Sequence, residues 1–214
     1  MIARQHPGET LAEWFVVGFL HTLLDEDNPM ANKLLQTTAF FVVPNMNPDG
    51  AARGNLRTNA AGANLNREWA EPSAETSPEV FWVRERMLKE GGDLFLDIHG
   101  DEELPYNFVA GCEGNPGYDA RHAALEATFK NSYMAISPDF QDTHGYPKDE
   151  PGKADMRIAA NWLGEQFKTL SFTIEMPFKD NADLPNDVTG WSPERSAQLG
   201  SDVLFPISAV LATL

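Results

Sequence analysis

Apolar and polar positions along the chain follow two different periods, and these periods predict the order of its helices and strands. A helical spacing begins after Thr10, which together with Glu13 makes the pattern of a capping box. Short runs rich in β-branched and aromatic residues predict strands at 37–43, 94–98, 106–110 and 171–176. Further helices are predicted at 78–90, 118–134, 153–168 and from Ser192-Pro193 onward, the last with a kink at Pro206.

The alternation of strands and helices predicts an α/β fold, with a mixed, largely parallel central sheet flanked by helices. Between residues 44 and 75 the chain has no regular period and is rich in Asn, Gly, Ala and Pro. An irregular stretch of this length is unusual in a compact domain and is often functional. The sequence has no internal repeat or obvious linker, so residues 1–214 are predicted to form one domain.

The chain is strongly acidic, and this narrows the classes of partner. It has 16 Lys and Arg against 32 Asp and Glu, for a net charge of -16. Such a charge argues against nucleic acid or an anionic membrane surface as the main partner. No run of residues approaches the roughly 20 apolar positions of a membrane span. With a single cysteine, Cys112, no internal disulfide can form, and a cytoplasmic location is predicted.

Two histidines and two glutamates carry the candidate chemistry. His6 and Glu9 are three residues apart, a spacing that lets both side chains converge on one ion where a strand ends and a helix begins. His99 follows the predicted strand at 94–98. Two His and one carboxylate, with a fourth position left for water, make the ligand set of a catalytic zinc. We therefore predict one zinc per chain at these three residues, with Glu175 as the base that takes the water's proton.

Six sequence blocks accompany these residues: RQHPGE at 4–9, NPDG at 47–50, GNLR at 54–57, NLNREW at 64–69, DIHG at 97–100 and TIEM at 173–176. Together, and in this order, they resemble the zinc metallocarboxypeptidases (M14-type), in particular their cytosolic carboxypeptidase branch. The first block alone would be a weak signal, but five further blocks make a chance match improbable.

This resemblance implies a zinc-dependent carboxypeptidase that hydrolyses the C-terminal peptide bond of a peptide or protein. It implies that Arg67 with Asn66 binds the free C-terminal carboxylate, since a guanidinium matches a carboxylate bidentately. Arg57 would stabilise the oxyanion of the tetrahedral intermediate, and Glu175 would be the general base. Tyr146 is the candidate for the tyrosine that often completes the family's pocket.

The residue that is removed is predicted from the segment upstream of the base, where the family varies its side-chain pocket. Lys153 and Arg157 lie there, and basic residues suit a C-terminal Glu or Asp. The cytosolic branch commonly removes glutamate. The alternative is that Lys153 and Arg157 lie on an ordinary charged helix face.

Asp97 shares a strand face with His99, where it either hydrogen-bonds a ligand histidine or is a buried polar residue capped by backbone.

Two other functions stay open. Aspartoacylase-like relatives use a similar zinc site to hydrolyse small N-acyl amino acids, and Arg67 would hold a carboxylate in either case. The other is a non-catalytic, truncated interaction module.

Only five residues precede His6, whereas the family has a full strand before this block. Residues 1–214 are therefore predicted to be a zinc carboxypeptidase-like catalytic domain that lacks N-terminal strands, and the sequence favours no oligomeric state.

Overall fold

One mixed sheet carries the fold. The computed structural model describes residues 1–211 and 213. Within them the strands are β1 (Ile2–Ala3), β2 (Leu94–Ile98), β3 (Phe108–Ala110) and β4 (Leu170–Glu175). Their order across the sheet is β1-β2-β4-β3; β1, β2 and β4 run parallel, and β3 is antiparallel to β4. The predicted α/β fold with a mixed, largely parallel sheet is confirmed.

Helices flank this sheet. In the described residues they are α1 (Leu11–Leu23), α2 (Pro29–Thr37), α3 (Pro48–Arg53), α4 (Pro78–Glu90), α5 (Ala120–Ile136), α6 (Ala159–Phe167), α7 (Pro193–Asp202), α8 (Leu204–Leu211) and a 3₁₀ helix at Leu65–Arg67. The elements predicted at 78–90, 94–98, 106–110, 118–134 and 171–176 are confirmed to within two residues at each end. The kink predicted at Pro206 occurs as the break between α7 and α8.

Strand residues alternate between two apolar clusters, one on each face of the sheet. In β2, Leu96 and Ile98 belong to the first cluster, which also contains residues of α1, α5, α7 and α8. Phe95 belongs to the second cluster with Trp69 and residues of α6. Asp97 is fully buried and, two residues after Phe95, faces the side of the second cluster. A carboxylate in that position needs polar partners.

The strand predicted at 37–43 is wrong. The side chain of Asn28 accepts two backbone hydrogen bonds in the first turn of α2, and that helix takes in Thr37. Beyond the helix, Val43 makes a single parallel bridge to Ile2. Since β1 is two residues long, it offers too few backbone groups to pair with the whole segment.

The predicted capping box is also wrong. α1 begins after Thr10 as expected, but the Thr10 side chain makes no capping hydrogen bond. Its intended partner, Glu13, forms an ion pair with Arg4 instead. This pair ties the first turn of α1 to the residue that follows β1.

The helix predicted at 153–168 begins only at Ala159. Gly152 has a positive φ of 77°, and the Asp155 side chain accepts a hydrogen bond from the backbone N–H of Arg157 at 3.0 Å. These local bonds hold the residues before α6 in a loop, so Arg157 lies on a loop and not on a helix face.

The carboxyl ends of three parallel strands bring the candidate residues together. His6 follows β1, His99 follows β2, and Glu175 is the last residue of β4. The His99 N–H donates to the Ile174 carbonyl oxygen at 2.8 Å, which joins the ends of β2 and β4. Ligands of open α/β sheets bind at this edge.

Close packing against α7 holds α1 in place, and α1 begins directly after the candidate residues His6 and Glu9. A Cβ on Gly18 would lie 1.8 Å from the Ala197 carbonyl oxygen, and backbone atoms cannot turn aside as a side chain does. Gly18→Ala should therefore lower the free energy of unfolding by about 1–3 kcal/mol in chemical denaturation. Gly92→Ala is the control, since its Cβ would meet no atom of residues 1–211 and 213 within 4 Å. Equal effects of the two substitutions would contradict this packing.

Candidate metal centre

Three buried side chains converge at the carboxyl edge of the sheet. His6, Glu9 and His99 each offer one ligand atom, and these atoms lie within 4.8 Å of one another. Glu9 lies between the imidazoles: its Oε1 is 2.6 Å from His6 Nδ1, and its Oε2 is 2.8 Å from His99 Nδ1. The structure thus brings the three predicted ligands together, and their donor set is that of a catalytic zinc site.

A polar side chain holds the second nitrogen of each imidazole. His6 Nε2 lies 2.9 Å from Asn64 Oδ1, and His99 Nε2 lies 2.9 Å from Asp97 Oδ2. Because both oxygens accept hydrogen bonds, they favour a proton on Nε2 and leave Nδ1 facing Glu9. Of the two interpretations of Asp97, the structure favours the contact with His99, and the role of this histidine as a metal ligand stays a prediction.

The electrostatics of the cluster suit a cation. Burial raises the pKa of Glu9, but His99 and His6 outweigh it and lower the pKa to about 2. Burial lowers the pKa of His99, whereas Asp97 and Glu9 raise it well above its ordinary value. The carboxylate is therefore ionised, and the negative charge of Asp97 and Glu9 favours a proton on the His99 imidazole. A divalent cation would take the place of that proton, so its binding would release it.

A cavity of about 670 Å³ opens beside the cluster. Its wall includes Arg57, Asn66 and Arg67 from the irregular segment, together with Tyr146 and Glu175. The volume lies in the range of small-ligand sites. The predicted catalytic and carboxylate-binding residues therefore share one cavity with the predicted metal ligands.

Glu175 has the environment of a proton acceptor. Its Oε1 accepts a hydrogen bond from the Tyr146 hydroxyl at 3.1 Å, and its Oε2 has no hydrogen-bond partner within residues 1–211 and 213. Burial raises the pKa of Glu175 to about 8; His99 opposes this shift, and Glu9 and Asp101 add to it. A carboxyl group with a pKa near neutrality is suited both to accept and to return a proton.

The Tyr146 hydroxyl also contacts Asp101, which sequence reasoning missed. It donates to Asp101 Oδ2 at 2.5 Å, a shorter distance than that to Glu175. Since a phenol has a single proton, the bond to Asp101 leaves Glu175 with the weaker contact. The only signal for Asp101 was its position directly after the DIHG block.

Two guanidinium groups, those of Arg57 and Arg67, line the same cavity. Burial and the neighbouring charge of Arg57 lower the pKa of Arg67. Arg67 Nη1 donates to the Asn66 carbonyl oxygen at 2.6 Å, and Asn66 Oδ1 accepts from the Ala159 N–H at 2.9 Å. Two neighbouring cations on a cavity wall form a binding surface for an anion.

The structure does not bring Arg157 to the cavity wall. Its guanidinium is exposed and lies 2.8 Å from Asp155. Lys130 of α5 lines the cavity instead, with Nζ 2.8 Å from Glu126 and 3.0 Å from Asp142. Sequence reasoning missed Lys130 because the spacing within a helix does not show which of its faces meets a cavity.

Asn64 and Gln5 were also missed, although both lie inside the matched blocks. Asn64 Oδ1 accepts from the Asn66 N–H at 3.2 Å as well as contacting His6. It therefore joins the first imidazole to the segment that carries Arg67. Gln5 lies directly before His6, and its side chain is fully buried.

Comparison with known proteins decides the family. The family model for zinc carboxypeptidases (peptidase M14) matches residues 1–197. The chain belongs to this family. An uncharacterised protein of Zymomonas mobilis is 53% identical over 214 residues, which is 100% of this chain and 56% of that protein. Cytosolic carboxypeptidase 3 of Bos taurus is 38% identical over 119 residues, 54% of this chain and 12% of that protein.

Two solved structures of metallo-carboxypeptidases share the fold over nearly the whole chain. A metallo-carboxypeptidase from Pseudomonas aeruginosa, solved in complex with (2-guanidinoethylmercapto)succinic acid, has a TM-score of 0.96 and 54% identity over 99% of this chain and 56% of its own. A metallo-carboxypeptidase from Burkholderia cenocepacia has a TM-score of 0.96 and 50% identity over 100% of this chain and 57% of its own. This zinc carboxypeptidase chain thus spans about half the length of these relatives.

Proposed function

We propose that this chain forms the catalytic part of a zinc-dependent carboxypeptidase, which hydrolyses the C-terminal peptide bond of a peptide or protein. One observation carries the proposal. A single cavity joins a His–Glu–His cluster, a buried carboxylate at Glu175 and the two guanidinium groups of Arg57 and Arg67. Each part matches one requirement of the reaction: a metal ligand set, a base, and cations for a carboxylate and an oxyanion.

In this proposal His6, Glu9 and His99 hold one zinc ion. When bound, zinc supplies a Lewis acid that polarises a carbonyl group and acidifies a water molecule. Glu175 takes a proton from water and gives it to the leaving amine, and its Oε2 has no partner within the described residues that would compete. The Tyr146 hydroxyl oxygen lies 3.1 Å from Glu175 Oε1, and it is the weaker of the two carboxylate contacts of Tyr146.

Arg67 and Asn66 bind the C-terminal carboxylate of the substrate, and Arg57 stabilises the oxyanion. The support is their shared cavity and the lowered pKa of Arg67, which burial and the charge of Arg57 cause and which a bound anion would oppose. The hydrogen bonds from Arg67 to Asn66 and from Ala159 to Asn66 make this surface part of the folded core and not a loose loop.

A free C-terminal carboxylate should be required. Amidated peptides should be cleaved about 10–100-fold more slowly in kcat/KM than their acids, because a hydrogen bond to a charged group contributes about 1.5–3 kcal/mol. Paired acid and amide peptides, assayed with and without a chelator, measure this. Arg67→Met should remove the difference, whereas Arg53→Met, an exposed arginine of the same segment, should retain it.

Two results would contradict this assignment. Equal cleavage of the acid and amide forms would exclude carboxylate recognition. Hydrolysis of small N-acyl amino acids without peptide cleavage would support the aspartoacylase-like alternative.

We further propose that the released residue is acidic, with Lys130 supplying the matching charge in place of Arg157. Lys130 Nζ has three donor positions, and Glu126 and Asp142 occupy two of them. The net charge of -16 repels an acidic substrate at long range, but screening limits this to about 8–10 Å. A cation at contact distance acts within that range.

Peptides that end in Glu should therefore react about tenfold faster, in kcat/KM, than those that end in Leu or Lys. Lys130→Met should reduce this preference, and Lys153→Met, on an exposed loop, should leave it unchanged. Faster release of Leu by the unmodified chain would indicate an apolar pocket. Faster release of Lys would indicate that the carboxylates around Lys130 determine the specificity.

We also propose a cytoplasmic location, which cell fractionation would test. The support is the single cysteine, whose thiol is buried with its pKa raised to about 12, and the likeness to cytosolic carboxypeptidases. In the part of the chain that the structure describes, no helix is both long and apolar enough to cross a membrane.

A further inference from the structure

We propose that Gln5 is a positioning residue, which holds Asp97 against His99 and so fixes the orientation of this imidazole at the metal centre. The inference rests on the proposed zinc site. It concerns two hydrogen bonds, from the indole of Trp69 to Gln5 and from Gln5 to Asp97, and the close contact of Asp97 with His99. We call these four side chains the Trp69–His99 chain.

Both ends of the Gln5 amide are bonded. Gln5 Oε1 accepts from the Trp69 Nε1–H at 2.8 Å, and Gln5 Nε2 donates to Asp97 Oδ2 at 2.7 Å. An indole nitrogen is a donor only, so the amide oxygen must face Trp69 and the amide nitrogen must face Asp97. Trp69 therefore determines which end of the Gln5 amide the carboxylate meets.

Asp97 depends on Gln5 for its position. Its Oδ2 accepts a hydrogen bond from Gln5 Nε2 and lies 2.9 Å from His99 Nε2. Its Oδ1 has no hydrogen-bond partner among the described residues. Asp97 is fully buried, so water does not replace a lost partner. Without Gln5, the Asp97 carboxylate would have His99 as its one remaining polar contact and could rotate about its terminal side-chain torsion.

The backbone around Gln5 is arranged to present this side chain. Arg4, which comes before it, has a positive φ of 58°, a conformation that costs a non-glycine residue about 1–2 kcal/mol. The Arg4 guanidinium holds the turn by donating to the Pro7 carbonyl oxygen at 2.9 Å and pairing with Glu13. Asn47 Nδ2 donates to the Gln5 carbonyl oxygen at 3.0 Å. This left-handed turn separates β1 from the site and directs Gln5 inward.

The side chains of the Trp69–His99 chain come from three separate segments. Gln5 follows β1, Trp69 lies after the 3₁₀ helix, and Asp97 belongs to β2. Asn66, three residues before Trp69, lines the cavity. The same short segment thus supplies both the cavity wall and the donor that orients Gln5.

The test uses the full chain and measures metal affinity rather than activity alone. Gln5→Met removes both amide hydrogen bonds at similar volume. Trp69→Phe removes the indole donor and part of the ring volume but keeps an aromatic ring in the core. Zinc affinity is measured by competition with a chelator, and ligand geometry by the absorption bands of the cobalt-substituted protein. Thermal unfolding of the metal-free protein reports stability separately.

Gln5→Met should weaken zinc binding by up to about 10–100-fold, the effect typical of losing the direct polar partner of a ligand histidine, because Gln5 acts on His99 through Asp97. Trp69→Phe should weaken zinc binding by a smaller factor. Both should shift the cobalt bands. Trp162→Phe is the matched control: Trp162 packs in the same apolar cluster, with its ring 6.4 Å from that of Trp69, and its substitution should leave affinity and spectrum unchanged.

Three outcomes would overturn the proposal. The first is zinc affinity and cobalt bands like those of the parent in both Gln5→Met and Trp69→Phe. The second is an equal loss of zinc affinity in Trp162→Phe, which would make the effect one of packing. The third is a parent chain that hydrolyses peptides but binds no zinc, which would overturn the metal site.

Two further results keep the proposal separate from folding and from the proposed activity. If Gln5→Met does not fold, Trp69→Phe decides alone. If the parent binds zinc but does not hydrolyse peptides, the Trp69–His99 chain is supported and the proposed activity is wrong.

Discussion

Replacing Glu175 by glutamine should leave zinc binding intact and reduce turnover by about 10²–10⁴-fold, the contribution typical of a positioned base. Glutamine keeps the size of the side chain and its contact with Tyr146 but cannot accept a proton. The measurement is kcat on a peptide acid, with zinc content determined on the same sample. Near-normal turnover with full zinc content would show that another group takes the proton.

Glu102→Gln is the matched control, because Glu102 is an exposed carboxylate on the wall of the same cavity. Its turnover should remain close to that of the parent. A comparable fall would mean that the cavity's overall charge, and not the position of Glu175, controls the rate.

The metal-free protein offers a readout of Glu175 that does not depend on substrate. Its pKa is raised from 4.5 to about 8 by burial, so the folded state favours the protonated form. The parent should therefore lose stability as pH rises from about 4.5 to 8, the window in which the unfolded chain ionises and the buried group resists ionisation. Glu175→Gln should remove this loss, and the two proteins should be equally stable below that window.

The residues that the sequence identifies best are those whose position follows from one element. His99 ends a strand with a clear apolar run, His6 and Glu9 are neighbours in one block, and Glu175 ends a second strand. Since parallel strands end at one edge of a sheet, these four residues are brought together by topology alone. No distant side chain has to be known in order to predict them.

The residues that the sequence fails to identify depend on distant contacts. Lys130 reaches the cavity because α5 turns one particular face toward it, and Gln5 matters because an indole 64 positions later orients its amide. The strand predicted at 37–43 fails for a similar reason, since its pairing depends on the length of β1. Propensity describes what a segment can form, whereas its partner decides what it does form.

Glu9→Gln should weaken zinc binding by more than about 100-fold, beyond the range typical of losing a hydrogen-bonding partner of a ligand. Glu9 is the anionic member of the cluster and lies 2.6 and 2.8 Å from the two Nδ1 atoms. An amide in its place keeps the shape but removes the negative charge from a buried site. Chelator competition measures the loss, and Glu103→Gln, exposed on the cavity wall, should bind zinc like the parent.

The side of His99 that binds the ion can be argued from its neighbours. On the Nε2 side, Asp97 Oδ2 lies 2.9 Å away, but this oxygen already accepts a hydrogen bond from Gln5. The amide nitrogens of Gln5 and Asn66 each lie 3.4 Å from Nε2, and their N–H groups carry partial positive charge that opposes a cation. On the Nδ1 side lies the ionised Glu9 carboxylate. Asp97→Asn should therefore weaken zinc binding less than Glu9→Gln does. The reverse order, with near-parental affinity in Glu9→Gln, would put the ion beside Nε2 and contradict the ligand set.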